Sequence, residues 1–100
     1  MDKAEALRRL RAREDDLRAL GITRLALFGS TARDEAHDGS DIDLAAAIDH
    51  DAVRRLGPFG YFGIEGSIGE MVGAKVDLVS EPARKQWLQA EIDRDRVVVF

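Results

Sequence analysis

Gly29-Ser30-Thr31-Ala32-Arg33, followed by Ser40-Asp41-Ile42-Asp43-Leu44, is the stretch on which the reading of this chain turns. Just upstream, Ile22 to Phe28 alternates as a strand does and carries β-branched and aromatic residues at its ends. Gly29-Ser30 breaks that strand, and Ser30 is placed to N-cap a short helix over about residues 31–36. His37-Asp38-Gly39-Ser40 is turn chemistry. Asp41 to Ile48 then reads as a second strand, although Ala45-Ala46-Ala47 is a weak strand former. Residues two apart in a strand share a face, so Asp41 and Asp43 stand together, roughly 7 Å apart, while Ile42 and Leu44 turn toward a core.

The flanks fit around that centre. Residues 3–20 form an amphipathic helix with Leu7, Leu10, Leu17 and Leu20 on one face, ended by Gly21. Beyond the second strand, Asp49 or Asp51 caps a short helical stretch that Gly57-Pro58 stops. Gly57 to Gly63 reads as a mobile loop, whose Phe59, Tyr61 and Phe62 either pack into the core or stack on a nucleobase or partner. Ile64, Ile68, Met71 and Val72 recur at helical spacing, so a glycine-weakened helix occupies 64–73. Lys75 to Ser80 is a third strand. Pro82 suits the first position of a last helix with Ala83, Trp87, Leu88 and Ile92 inward. Val97 to Phe100 is a terminal strand or an apolar tail. The order α-β-α-β-α-β-α predicts an α/β (α+β) fold, a small sheet flanked by helices, over a single domain spanning residues 1–100.

Bulk composition narrows the function classes. With 45% hydrophobic and 34% charged residues the chain is of ordinary globular type. It has no cysteine, which excludes disulfides and thiolate metal sites. The start carries no apolar h-region and no apolar run reaches the roughly 20 residues of a membrane span, so the expected location is the cytoplasm. A net charge of −4 gives no global attraction to nucleic acid, so direct nucleic-acid binding is not expected. The Arg8, Arg9, Arg11 and Arg13 cluster reads as the solvated side of a helix, offset by Glu14, Asp15 and Asp16. His37 and His50 read as exposed turn residues.

A third acid completes the pattern. Asp77 lies within Lys75-Val76-Asp77-Leu78-Val79, its side chain opposite to those of Val76 and Leu78, and it joins Asp41 and Asp43 if the two strands adjoin. Two unpaired carboxylates about 7 Å apart repel by roughly 2 kcal/mol at an effective dielectric near 20. A fold stable by only about 5–15 kcal/mol carries three of them on strands when a cation compensates. Oxygen ligands of this kind suit magnesium, which keeps water and substrate phosphates in its remaining positions. The strand-to-helix junction at Gly29-Ser30 offers backbone N–H groups to phosphate. Arg33 either holds a triphosphate oxygen or pairs locally with Asp34 or Glu35.

Taken together, Gly29-Ser30-x-Ala32-Arg33, Ser40-Asp41-x-Asp43-Leu44 and Lys75-Val76-Asp77-Leu78-Val79 resemble the minimal nucleotidyltransferases of the polymerase-β superfamily, and most closely the stand-alone antitoxin class encoded beside a HEPN-domain toxin. The resemblance runs from the first helix to the end of the chain. It implies that Gly29, Ser30, Arg33 and Ser40 take the nucleotide, and that Asp41, Asp43 and Asp77 are the catalytic residues and ligate two magnesium ions. It implies ATP as co-substrate, in-line attack on the α-phosphate with loss of pyrophosphate, and a tyrosine of a HEPN-type RNase toxin as acceptor, the pair forming a hetero-oligomer. Two alternatives stand beside it: an antitoxin that neutralises its toxin by contact alone, and the catalytic subunit of a small-molecule or RNA nucleotidyltransferase. The sequence departs from the family at Asp34, where glycine usually follows the arginine.

Overall fold

The computed structural model describes residues 1–37, 39–57 and 60–100, the side chains at 61 and 62 excepted. The helix expected over 3–20 is two: α1 (Lys3–Arg11), capped by Asp2, and α2 (Glu14–Ala19). The break follows charge. Arg8, Arg9 and Arg11 crowd the last turn of α1, whereas Glu14, Asp15 and Asp16 fill the first turn of α2, each set matching the dipole of its own helix end. Arg11 also leaves the helical surface to bond the Val98 and Val99 carbonyls at 2.9 and 3.1 Å.

Strand β1 (Ile22–Phe28) falls where the sequence places it, but Leu25 to Phe28 are all buried rather than alternating. The cause is its central position. β1 lies between β2 (Ile42–Ile48) and the short β4 (Val97–Val98), antiparallel to both, while β3 (Val76–Ser80) runs parallel to β2 on the outside, giving the order β3-β2-β1-β4. Both faces of the sheet are covered. Leu25, Leu27, Ile42, Leu44, Ala46 and Val76 pack against Ala6, Leu10 and Leu17 of α1 and α2 and against α5 (Gly60–Val72) through Ile64, Ile68 and Val72. Phe28 and Ala45 on the opposite face meet Ile92 of α6 (Gln86–Asp95), joined by Val79, Ala83 and Leu88. The small side chains of 45–47 are accommodated here because Ala45 and Ala46 are fully enclosed, one on each face.

Several boundaries differ from the sequence reading. The helix after β1 is α3 (Gly29–Ala32), with Phe28 rather than Ser30 at its cap position. It stops early because Asp34 takes a left-handed φ of 59°, with Glu35 N–H donating to the Ser30 carbonyl and Asp34 N–H to that of Thr31, the closure that usually recruits glycine. Asp34 thus adopts the left-handed backbone for which glycine is the usual residue, and its Oδ1 accepts from the Lys3 amide. α4 (His50–Arg55) is capped by Asp49, not Asp51. Gly60 to Gly63 is helical and not loop, and the reading of Phe59, Tyr61 and Phe62 lies outside the described residues and side chains. Pro82 does not open α6. Gln89 accepts from Ala83 N–H and donates to Glu81, tying 81–83 into a bend, so the helix begins at Gln86 and Trp87 points outward, 59% exposed. No helix among the described residues is long and apolar enough to cross a membrane.

The Asp49 cap offers a direct check: its carboxylate accepts from both Asp51 and Ala52 N–H. Asp49→Ala is expected to cost about 1 kcal/mol, lowering the thermal midpoint by roughly 4–8 °C in a domain of this size. Differential scanning calorimetry measures it; an unchanged midpoint would show that α4 does not depend on its cap.

Candidate active site

The candidate site forms at one end of the sheet, where β1 stops and β2 and β3 start. Parallel register sets Asp43 directly beside Asp77, and antiparallel register sets Phe28 on the other side of Asp43. Asp43 and Asp77 keep phase with Ala45 and Val79, so both carboxylates stand on the α6 face of the sheet. Asp41 lies one residue before β2 begins, its side chain 41% exposed and 3.9 Å from the Lys75 ammonium. Lys75 itself is mostly exposed and bonds only through its backbone carbonyl to β2, receiving Ile42 N–H.

At the end of β1 the chain must turn sharply past Asp43. Gly29 does this at φ +73°, and a Cβ there would overlap the Asp43 carboxylate. The glycine thus serves two purposes: a backbone conformation that L side chains avoid, and contact between backbone and carboxylate. The first amides of α3 follow immediately, without intrahelical acceptors by construction. Ser30 is half-buried beside them.

Electrostatics mark Asp43 as the pivot of the cluster. Partial burial first, then the charges of Asp77, Asp41 and Glu91, push its carboxyl above the ordinary range, with Arg33 pulling the other way. Glu91, on α6, is an acid the sequence reading did not single out. Its signal was the α6 periodicity, which puts Glu91 and Asp95 one turn apart at the end of the helix that reaches the site. Arg33 bonds Glu35 at 3.0 Å, as its local reading expected, and also Asp95, 62 residues away, at 2.6 Å. The Asp95 side chain is only 5% exposed, and hydrogen bonds from Arg94 and then Arg33 hold its carboxyl down at about 2. Arg33 is therefore fixed within electrostatic reach of Asp43. Ser40 uses its hydroxyl to accept from His37 N–H and lines a cavity of about 380 Å³ with Thr31, Asp41 and Lys75.

The structure thus brings Asp41, Asp43 and Asp77 to one sheet end and Gly29-Ser30 against them, whereas the side chain of Arg33 is bonded to Glu35 and Asp95 and that of Ser40 to His37 N–H. Among the described residues, no three acidic or imidazole side chains close on a single point; the acids stand side by side. An all-oxygen set of this kind, with a glycine backbone pressed to its central member, fits a hard divalent cation bridged to phosphate. It does not fit a soft metal or a covalent nucleophile.

The sequence pattern of the nucleotidyltransferase domain matches residues 6–99, and the chain belongs to that family. Its members generally use a nucleoside triphosphate and a divalent metal. A solved minimal nucleotidyltransferase is similar at 29% identity with a TM-score of 0.68, covering 97% of this chain and 95% of its own. Two toxin–antitoxin crystal structures share the fold: one with AMP-PNP at 18% identity, the other a mutant of MntA–HpeT at 16%. Each has a TM-score of 0.62, covering all of this chain and 73% of theirs. No protein of curated function matches the chain.

Two outcomes test the geometry. Gly29→Ala combines a left-handed alanine, about 1–2 kcal/mol, with the Asp43 overlap, and a fall in thermal midpoint of several degrees is expected; a neutral effect would mean the turn relaxes freely. Because the Asp43 pKa is raised on folding, its stabilising contribution is complete below the unfolded value near 4. That contribution is lost as pH rises through the folded value. Asp43→Asn should therefore flatten this part of the stability-against-pH curve in metal-free buffer, as followed by urea titration. An unchanged slope would remove Asp43 as its source.

Proposed function

We propose that this chain transfers AMP from ATP, with magnesium, to a tyrosine of a HEPN-type RNase toxin, acting in the cytoplasm as the antitoxin of the pair. The observation that carries this reading is the in-register pairing of Asp43 with Asp77, with Asp41 at the same sheet end and the Gly29 backbone pressed against Asp43. The family membership supports nucleotidyl transfer. The fold shared with toxin–antitoxin structures, one of them with AMP-PNP, supports the adenine nucleotide and a toxin as partner.

The residues divide the work as follows. Gly29 and Ser30 would receive the β- and γ-phosphates on backbone N–H groups and the Ser30 hydroxyl. Asp41, Asp43 and Asp77 would hold magnesium beside the triphosphate. When bound, magnesium supplies charge neutralisation of the triphosphate and acidifies the attacking hydroxyl. The phenol oxygen attacks the α-phosphorus, the bond to the β-phosphate oxygen breaks, and pyrophosphate leaves as the phenol proton departs toward the carboxylates. Asp43, raised in pKa by burial and then by its acidic neighbours, must be ionised for this work, and cation binding favours that form. Arg33 acts from where Asp95 holds it, as a fixed positive charge beside Asp43.

The test is incubation with labelled ATP, magnesium and the co-encoded neighbouring protein. Label on a tyrosine of the neighbour is expected, falling on the order of a thousandfold with Asp43→Asn, the scale of losing several kcal/mol of charge stabilisation. Neutralisation by Asp43→Asn without label would sink the transfer reading in favour of contact alone. Label on RNA or an aminoglycoside, with none on protein, would replace the acceptor.

A further inference from the structure

Strand β3 is the outer strand of the sheet on the acidic side, and its outer edge is unpaired by any strand among the described residues. The flanking ladder bonds fix which backbone groups point outward. Ile42 N–H donates to the Lys75 carbonyl, and Glu81 N–H donates to the Ala46 carbonyl. The odd-numbered residues of β3 therefore bond β2, and Val76, Leu78 and Ser80 turn their backbone groups away from the sheet. One of these groups is already occupied: Leu78 N–H donates to the Glu65 carboxylate of α5 at 2.9 Å. A charged side chain laid across a free edge is the usual guard against unwanted strand pairing.

Concave surface flanks the guard on both sides. Toward the start of β3 a hollow of about 380 Å³ is bounded by Glu65, Gly66, Gly69, Glu70, Lys75 and Val76. Toward its end a larger one of about 530 Å³ runs along Leu78 to Ser80 and is walled by Arg84, Lys85 and Trp87. Most arginines of this chain are paired with acids, whereas Arg84 makes no ion pair among the described residues and the Lys85 ammonium rests only on the Trp87 ring, 5.8 Å from its centroid. Two glutamates against one lysine lie at one end of the edge, and positive charge with an exposed indole at the other.

We propose that β3 receives the acceptor as an added strand. The occupant is an extended segment of the partner protein, basic where it passes Glu65 and Glu70, acidic where it passes Arg84 and Lys85, with the acceptor tyrosine between. Register supplies the reason. On adjacent strands, residues side by side project to the same face. A tyrosine opposite Asp77 would thus project onto the α6 face, beside the Asp77 and Asp43 carboxylates. Strand addition gives affinity through main-chain bonds and places one side chain at a fixed position. It rests on the acceptor being a protein, as proposed above, but it is tested without turnover.

Trp87 is the only tryptophan, so its fluorescence reads the groove directly. The probe is a nine-residue synthetic peptide, lysines at one end, glutamates at the other, valines flanking a central tyrosine, titrated into the full chain without nucleotide. A saturable Trp87 emission shift is expected. It should weaken at least tenfold when alternate peptide amides are N-methylated or when Arg84→Glu is combined with Lys85→Glu. Circular dichroism confirms that the variants fold. No shift at millimolar peptide, or a shift indifferent to N-methylation, overturns strand addition. Adding labelled ATP and magnesium separates the two proposals: a shift without label retains the docking and removes the transfer, and label with no N-methyl sensitivity does the reverse.

Discussion

Asp43 beside Asp77 is the constraint around which the rest of the structure is arranged. Parallel pairing of β2 with β3 in this register places carboxylate against carboxylate, with Asp41 and Glu91 adding to the same negative field. Such an arrangement opposes folding, and it survives because the surroundings are committed elsewhere. The opposite face of the same strands is fully apolar, with Ile42, Leu44 and Val76 buried against α5 and α1. A one-residue slip of β3 would relieve the acids but turn Val76 to the acidic face and Asp77 into the core. The apolar pattern fixes the register, and the register imposes the repulsion.

Relief is offered by one fixed cation. Arg33 is tied to Asp95, a nearly buried carboxylate at the end of α6, and so stays beside Asp43. The tie also joins α3 to α6, two short elements otherwise far apart in sequence. Asp34, the next residue, closes α3 with a left-handed backbone and binds the Lys3 amide, so the turn behind the glycine-serine corner is anchored to α1. The corner is thereby held from both sides. Asp34 replaces the backbone role of glycine while adding a charge that is spent on α1 and not aimed at the corner.

What was legible in the sequence was the part governed by short-range pattern. β1 and β2 were read almost to the residue because runs of strand-forming side chains and the Gly29 break are local signals. The fold class followed from the order of elements and the shared face of Asp41 and Asp43 from two-residue periodicity, whereas the place of Asp77 depended on β3 lying beside β2, which the pattern left open. The break at Ala12-Arg13 was not read, since Leu10 and Leu17 keep one helical face across it and only the change of charge sign betrays it. The start of α6 was misplaced because Pro82 is a strong local signal, whereas the Gln89 bonds that hold 81–83 away from the helix are formed only in the fold. Arg33 was open from sequence alone for the same reason: Asp95 lies 62 residues away.

The glycines of α5 carry the last step. Glycine in a helix interior costs about 1 kcal/mol relative to alanine, so four of them at 60, 63, 66 and 69 need a cause. At two positions packing supplies it: a Cβ at Gly60 would stand 3.2 Å from the Val53 carbonyl, and one at Gly69 would stand 3.0 Å from that of Ala74. At Gly63 and Gly66 a Cβ would meet nothing within 4 Å. Among the described residues nothing offsets the cost there. Gly66 borders the hollow at the start of β3, one residue from the glutamate that guards the edge. A side chain at that point would narrow the approach to β3, and its lack keeps the trough open to another backbone. The helix gives up stability on the side where the sheet leaves a strand unpaired, which is what a surface kept for a partner requires.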